Sequence, residues 1–223
     1  MAESPPVEAP PCASRLVLAS ASPRRLELLS RVGLIAEVDP ADVDESVFDG
    51  ESAAAYVVRV ALDKATTVAR RHHDAVVLAA DTAVVLDGSA LGKPDDADHA
   101  LVMLRRLVGR SHVVMTAVVV VSPARSDDPT HRRRHVTLER AEVTMADSSE
   151  RDLSWYVDTG EPLDKAGSYA VQGIGAFLVE RVEGDPTTVI GLPLRPTLDL
   201  LRTAGHLWPS RATTLDHPHL TTS

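Results

Sequence analysis

The chain carries one cysteine, Cys12, among 223 residues. That excludes an internal disulfide and any multi-cysteine zinc site, and it fits a reducing cytoplasm. Aromatic residues make up only 3%, too few for a platform that stacks on successive bases. Positive charge is in deficit, 23 Lys and Arg against 32 Asp and Glu for a net charge of -9. Such a balance disfavours general attraction to a nucleic-acid polymer or an anionic membrane, yet leaves room for a local basic pocket. No uncharged run reaches membrane length, and the opening "MAESPPVEAPPCAS" lacks the basic start and apolar core of a signal peptide. No GxxxxGK[ST] loop occurs, and Gly173 and Gly175 stand without the third glycine or the strand-to-helix setting of a dinucleotide fingerprint. The absences leave a globular protein whose partner is small.

What is present is an aliphatic chain, 44% hydrophobic, with enough material for one substantial core. Residues 1–14 read as a disordered leader, 15–205 as the folded domain, and 206–223, with His217 and His219, as a flexible, solvated tail. Extended apolar runs alternate with helical patterns, the signature of an α/β fold. "RLVLAS" reads as a strand, followed by a helix from Pro23 to about Val32 with Ser22 as its cap and Gly33 as its stop. A short strand in "LIAEVDP" leads to the acidic loop "ADVDESVFDGES" and a helix over about 52–71. Then come the extended "AVVLAADTAVVLDG", a loop "SALGKP" and a helix over about 95–108 closed by Gly109. "SHVVMTAVVVVSP" and "HVTLERAEVTMAD" read as paired strands joined by the polar loop 124–134, whose "HRRRH" reads as a solvated basic stretch. A helix capped by Ser148 or Ser149, the irregular "EPLDKAGSYAVQGIG", the strand "AFLVERVEG" and a helix over about 196–203 complete the domain.

Several residues resist a purely structural reading. Arg24 and Arg25 put two cations at the positive end of a helix dipole, the unfavourable end. Either they point to water or pair with a carboxylate such as Glu27, or they hold an anion together with Ser20, Ser22 and the free N–H groups of the helix start. Lys64 falls on the apolar face formed by Val57, Val60, Ala61 and Val68, where it either snorkels to the surface or reaches a buried anion. Asp81 interrupts an apolar strand on the face of Val77 and Ala79; it either ends the strand or is held by a metal or another cation. Lys93 and Lys165 lie in Gly and Pro loops, solvated or functional. Asp42, Asp44 and Glu45 offer oxygen ligands that with Asp81 could hold a hard divalent ion. Magnesium or manganese shared with substrate phosphates is favoured over structural zinc, since the one HxxxH spacing, His131 and His135, spans three arginines.

These positions lie in motifs that occur in one order: "SASPRR" (20–25), "VDES" (43–46), "DKA" (63–65), "AADT" (79–82), "GKP" (92–94), "EPLDKAGSYAVQG" (161–173) and "VEGDPTTVIGLPL" (182–194). In that order the chain resembles the Maf family of nucleoside triphosphate pyrophosphatases, from about Arg15 to Leu200. The resemblance implies a mixed, strongly twisted sheet flanked by helices, with two lobes around a central cleft, similar to the inosine triphosphate pyrophosphatases. It also implies a homodimer and dependence on a divalent metal, Mg2+ or Mn2+. By the same resemblance Asp81 is the catalytic base or metal-bound acid, Glu45 helps hold the metal, and Arg24, Lys64 and Lys93 contact the triphosphate. Ser20, Ser22, Arg25 and Lys165 are counted with them as candidate substrate-binding residues. Of the arginine pair Arg24 is preferred, with Arg25 either joining it or only holding the turn.

Arg24, Thr82 and Gln172 mark the subtype. Thr82 directly after the acid and Gln172 before a glycine resemble the branch acting on dTTP and UTP, not the 7-methyl-GTP branch. An amide offers both a donor and an acceptor to the edge of uracil or thymine. A 7-methyl-GTP or inosine triphosphate pyrophosphatase and a nucleotide-binding regulator of cell division are the alternatives.

Overall fold

A computed structural model describes residues 15–124 and 132–206. The leader with Cys12, most of the 124–134 loop with His131, and the tail with His217 and His219 lie outside the described residues.

Seven strands form one mixed sheet. They are β1 (Leu16–Leu18), β2 (Glu37–Val38), β3 (Val76–Leu86), β4 (Ser89–Leu91), β5 (Ser111–Val121), β6 (Arg134–Met145) and β7 (Val179–Glu183). The order is β2-β1-β3-β5-β6-β7, with β4 added to β3. β1 pairs parallel with β2 and β3; every other pairing is antiparallel. Among the described residues six α-helices flank the sheet: α1 (Pro23–Arg31), α2 (Ala53–Ala69), α3 (Ala97–Leu107), α4 (Glu150–Asp158), α5 (Pro186–Ile190) and α6 (Leu194–Thr203). The mixed α/β class, with the sheet flanked by helices, is as the sequence predicts.

Alternation along β3 assigns the layers. Val77, Ala79, Ala83 and Val85 face α2, meeting Val57, Ala61, Ala65 and Val68 in one core. The opposite face is split. Val76, Leu78 and Ala80 pack with Leu28, Leu29 and Leu201 of α1 and α6, while Val84 and Leu86 pack with Leu104, Leu107 and Leu153 of α3 and α4. β5 divides in the same way, with Val118 and Val120 in the first cluster and Val114 in the second. Thr82 and Thr116, opposed in the β3–β5 register, stand where the two clusters part.

Helix starts follow their caps. Ser52 Oγ accepts from the Ala55 N–H, Asp96 accepts from the His99 N–H, and Ser149 forms a reciprocal box with Asp152. Four expectations need correction. Ser22 occupies the cap position of α1, but its side chain makes no capping bond. "SALGKP" is not all loop: Ser89–Leu91 returns as β4 after Asp87-Gly88, both at positive φ, the geometry of a tight hairpin turn. In "AFLVERVEG" only Val179–Glu183 is strand, because Ile174–Leu178 coils into a 3₁₀ turn after Gly173 at φ +93°. Arg132 of "HRRRH" is not merely solvated. Its guanidinium donates to the carbonyls of Ala69, His72, Ala75 and Ser122, tying the start of β6 to the end of α2.

Candidate active site

The sheet topology itself opens a cleft. β1 runs beside β3 only as far as Leu78, and β4 begins only at Val84, so one edge of β3 has no strand next to it in between. Asp81 and Thr82 lie in this gap, on opposite faces of the strand, and both line one cleft of about 640 Å³, a size suited to a nucleotide. The strand does not end at Asp81; it passes straight through.

Asp81 is buried, and its partner is Lys64, whose Nζ donates to Oδ1 at 2.8 Å. Lys64 therefore does not snorkel. It sits on the core face of α2, where an unpaired ammonium would be prohibitively costly, and it also meets Glu45 Oε1 at 2.9 Å. Burial raises the Asp81 pKa, while Lys64 and Arg25 pull against it. Glu45 comes from the acidic loop, which is fastened to α2 by residues that sequence reasoning did not single out. Tyr56 donates to the Glu45 carbonyl, and Arg59 donates to the Ser46 carbonyl and both oxygens of Glu51. Arg59 also lies 3.9 Å from the centroid of the Phe48 ring. Asp44 is turned away into a local loop, accepting from Ser46 N–H and Oγ, which lowers its pKa. Asp42 is exposed.

Among the described residues no group of three or more His, Cys, Asp or Glu converges on one point. A caged structural metal does not fit, but Mg2+ is commonly held by one or two carboxylates and completed by substrate phosphates. Glu45 and Asp81, which meet at the Lys64 ammonium, are the two carboxylates of the cleft whose chemistry would fit such a pair.

The two arginines differ sharply. Arg24 stays at the rim, paired with Asp164 at 3.2 Å. Arg25 points inward: Nε donates to the Gly191 carbonyl at 2.8 Å, Nη1 to Ser20 Oγ at 2.9 Å and Nη2 to Thr82 Oγ1 at 3.2 Å. All three acceptors are uncharged. Burial lowers the Arg25 pKa, Asp81 and Glu45 raise it, and Arg24 adds to the lowering. Ser20 Oγ also accepts the Ser22 N–H, so both serines shape this turn. Gly191, at φ +113°, holds a conformation strained for any residue with a side chain, and a Cβ would come 3.2 Å from Thr82 Oγ1.

Lys93, Lys165 and Gln172 line the same cleft. Lys93 is exposed. Lys165 donates to Asp164 at 2.6 Å and to the Glu161 carbonyl. Gln172 precedes a turn clamped by Glu161, whose two oxygens accept from the Ile174 and Gly175 N–H groups at 2.9 and 2.7 Å. Glu161 lies in the "EPLDKAG" motif, but sequence reasoning gave it no role; its spacing of 13 and 14 residues from its partners carries no local signal. Apart from Asp42 and Asp44, the candidate site residues thus line one cleft.

With this geometry in hand, comparison with known proteins is decisive. The model of the Maf-like protein family matches residues 15–204. The chain belongs to the Maf family. It is 50% identical over 197 residues to a protein of Myxococcus xanthus named dTTP/UTP pyrophosphatase, covering 88% of this chain and 96% of that one. Proteins of the same name from Anaeromyxobacter sp. (strain Fw109-5) and Symbiobacterium thermophilum are 51% and 46% identical, covering 88% and 86% of this chain and 93% and 95% of theirs. Membership extends to nearly all of the described fold, including every candidate site residue of the cleft. Among the described residues no helix is long and apolar enough to cross a membrane.

Proposed function

We propose that this Maf-family chain hydrolyses dTTP and UTP to the nucleoside monophosphate and pyrophosphate. The observation that carries the reading is the pairing, in one cleft, of a buried carboxylate held by Lys64 with a half-buried guanidinium whose partners are all neutral. Asp81 accepts a proton from the attacking water, a role that a carboxylate with a raised pKa suits. Lys64 fixes that carboxylate and Glu45 in place, so the geometry exists before substrate arrives. Arg25, with Nη hydrogens left over after its two hydroxyl partners, meets a phosphate oxygen. Arg24, Lys93 and Lys165 at the mouth offset charge on the leaving pyrophosphate. Glu45 and Asp81 would hold a Mg2+ or Mn2+ ion, which would supply Lewis acidity and charge neutralisation at the phosphates. Gln172 offers its amide N–H to a carbonyl oxygen of the pyrimidine edge.

The test is a product assay on dTTP, UTP, ITP and 7-methyl-GTP with magnesium. Pyrophosphate release fastest from dTTP and UTP is expected; faster release from ITP or 7-methyl-GTP, or release of orthophosphate, contradicts the reading. The homodimer is part of the proposal. Trp155 and Phe177, both exposed and in edge contact at 5.8 Å, form an apolar patch available for it. Sedimentation at micromolar concentration checks the dimer, and a wild-type chain that sediments as a monomer rules it out.

A further inference from the structure

We propose that Thr116, a buried residue of β5, is a specificity-determining positioning residue: it makes the Thr82 hydroxyl an acceptor only, selecting bases that carry N–H at N3. This rests on the pyrimidine triphosphate reading above.

The hydrogen-bond chain has one possible direction. Thr82 and Thr116 are directly opposed in the β3–β5 register, with their hydroxyl oxygens 2.9 Å apart. Thr116 Oγ1 also lies 2.7 Å from the Thr188 carbonyl, which has no proton to give. A hydroxyl has a single hydrogen, so Thr116 spends it on Thr188 and can only accept from Thr82. Thr82 therefore donates to Thr116. Its oxygen meanwhile accepts from Arg25 Nη2 at 3.2 Å, and a guanidinium cannot act as an acceptor. What remains on Thr82 is one lone pair and no hydrogen. Thr116 and Thr188 are both fully buried, so water cannot reverse the chain. Thr82 is partly exposed and lines the cleft.

An acceptor-only oxygen discriminates sharply. Phosphate oxygens are acceptors too, so this lone pair does not hold the triphosphate; it requires an N–H or O–H. Uracil and thymine carry hydrogen on N3, where cytosine presents a lone pair. Facing cytosine, Thr82 Oγ1 would set two lone pairs against each other, with no hydrogen available to relieve them. A site built to bond a substrate N–H rejects an analogue lacking it far more strongly than an apolar pocket rejects a missing methylene. Thr116 touches no substrate; it acts through Thr82.

The experiment measures kcat/KM for UTP, CTP and N3-methyl-UTP with wild type, Thr116→Val and Thr116→Ser. In Thr116→Val the Thr82 hydrogen loses its acceptor and becomes free to turn to the cleft. The CTP/UTP ratio is expected to rise about tenfold, mainly through KM, whereas Thr116→Ser keeps the wild-type ratio. A folded Thr116→Val with an unchanged ratio, or a serine variant shifted as far as valine, overturns the proposal. If Thr116→Val does not fold, Thr82→Val decides. The penalty for N3-methylation should shrink about tenfold in that variant, since the N3–H no longer has its partner. An unchanged penalty overturns the proposal, including the case in which a ribose hydroxyl is the donor that Thr82 meets. Failure of the underlying functional reading is separately visible, as wild-type protein that releases no pyrophosphate from UTP.

Discussion

Lys64 Nζ stands 2.8 Å from Oδ1 of Asp81, with the two side chains only 10% and 8% exposed. One helix and one strand are thereby joined by a buried ion pair at the centre of the cleft, and Glu45 extends the pair to the acidic loop. Removing one member of a buried pair leaves the other uncompensated, at a cost of about 3–5 kcal/mol. Lys64→Met is therefore expected to lower the melting temperature markedly and abolish pyrophosphate release. Adding Asp81→Leu to Lys64→Met should recover most of the stability and none of the activity. Thermal melts beside the product assay check both; a Lys64→Met protein as stable and active as wild type contradicts the pairing.

Arg25 joins three elements through acceptors 5, 57 and 166 residues away. Lysine has one nitrogen and cannot span them. Arg25→Lys is expected to lose about 1–3 kcal/mol of stability by stranding buried acceptors and at least tenfold in kcat/KM. Arg24→Lys, at the exposed rim, should leave the melting temperature within about 0.5 kcal/mol equivalent. Denaturation curves for the two variants decide this; equal losses would refute the assigned asymmetry.

Glu161 clamps the turn behind Gln172. Burial by itself would raise its pKa, but the N–H groups of Gly175 and Ile174 outweigh that and lower it. Its contribution to stability is thus present above the unfolded-state pKa and is lost as pH falls through the lower folded value. Glu161→Gln puts an amide donor against one of two N–H donors, an expected cost of about 1–3 kcal/mol. KM for UTP should rise more than kcat falls, because Gln172 is displaced while Asp81 is not. Steady-state kinetics at neutral pH test it, with a selective fall in kcat as the contrary result.

His112 is buried at the start of β5, with Nε2 2.7 Å from the hydroxyl of Tyr169, a residue of the cleft wall. Burial pushes its pKa from 6.5 down to about 4. The unfolded chain takes up this proton first, so stability is complete above pH 6.5 and declines as pH falls towards about 4. The loss from this one residue is of order 3 kcal/mol. Urea unfolding at pH 7, 5.5 and 4.5 should show the decline in wild type and a flatter profile in His112→Phe. Parallel profiles would assign the decline to other groups.

Much of this site was legible in the sequence wherever a residue broke the pattern of its own element. Lys64 spoils an apolar helix face and Asp81 an apolar strand, and both anomalies mark the cleft. That each is the other's partner was not legible, because it depends on how α2 packs across β3. Adjacent arginines at a helix start give no local sign of which turns inward; two of the three acceptors of Arg25, Thr82 and Gly191, come from distant segments. β4 and α5 were missed because three and five residues are too short for periodicity. Their punctuation was nevertheless present: Asp87-Gly88 before β4, and Asp185-Pro186 with Gly191 around α5. Thr82, Thr116 and Thr188 are ordinary strand or helix residues one by one, and their relay exists only through the β3–β5 register and the seating of α5.

The central claim is that Asp81 takes the proton of the attacking water in a pyrimidine triphosphate pyrophosphatase. The most direct measurement is the rate of pyrophosphate release from UTP and dTTP with magnesium, comparing wild type with Asp81→Asn. Wild type is expected to form the monophosphate and pyrophosphate, and Asp81→Asn, still folded, to be slower by about two to four orders of magnitude. Near wild-type release by a folded Asp81→Asn protein would contradict it.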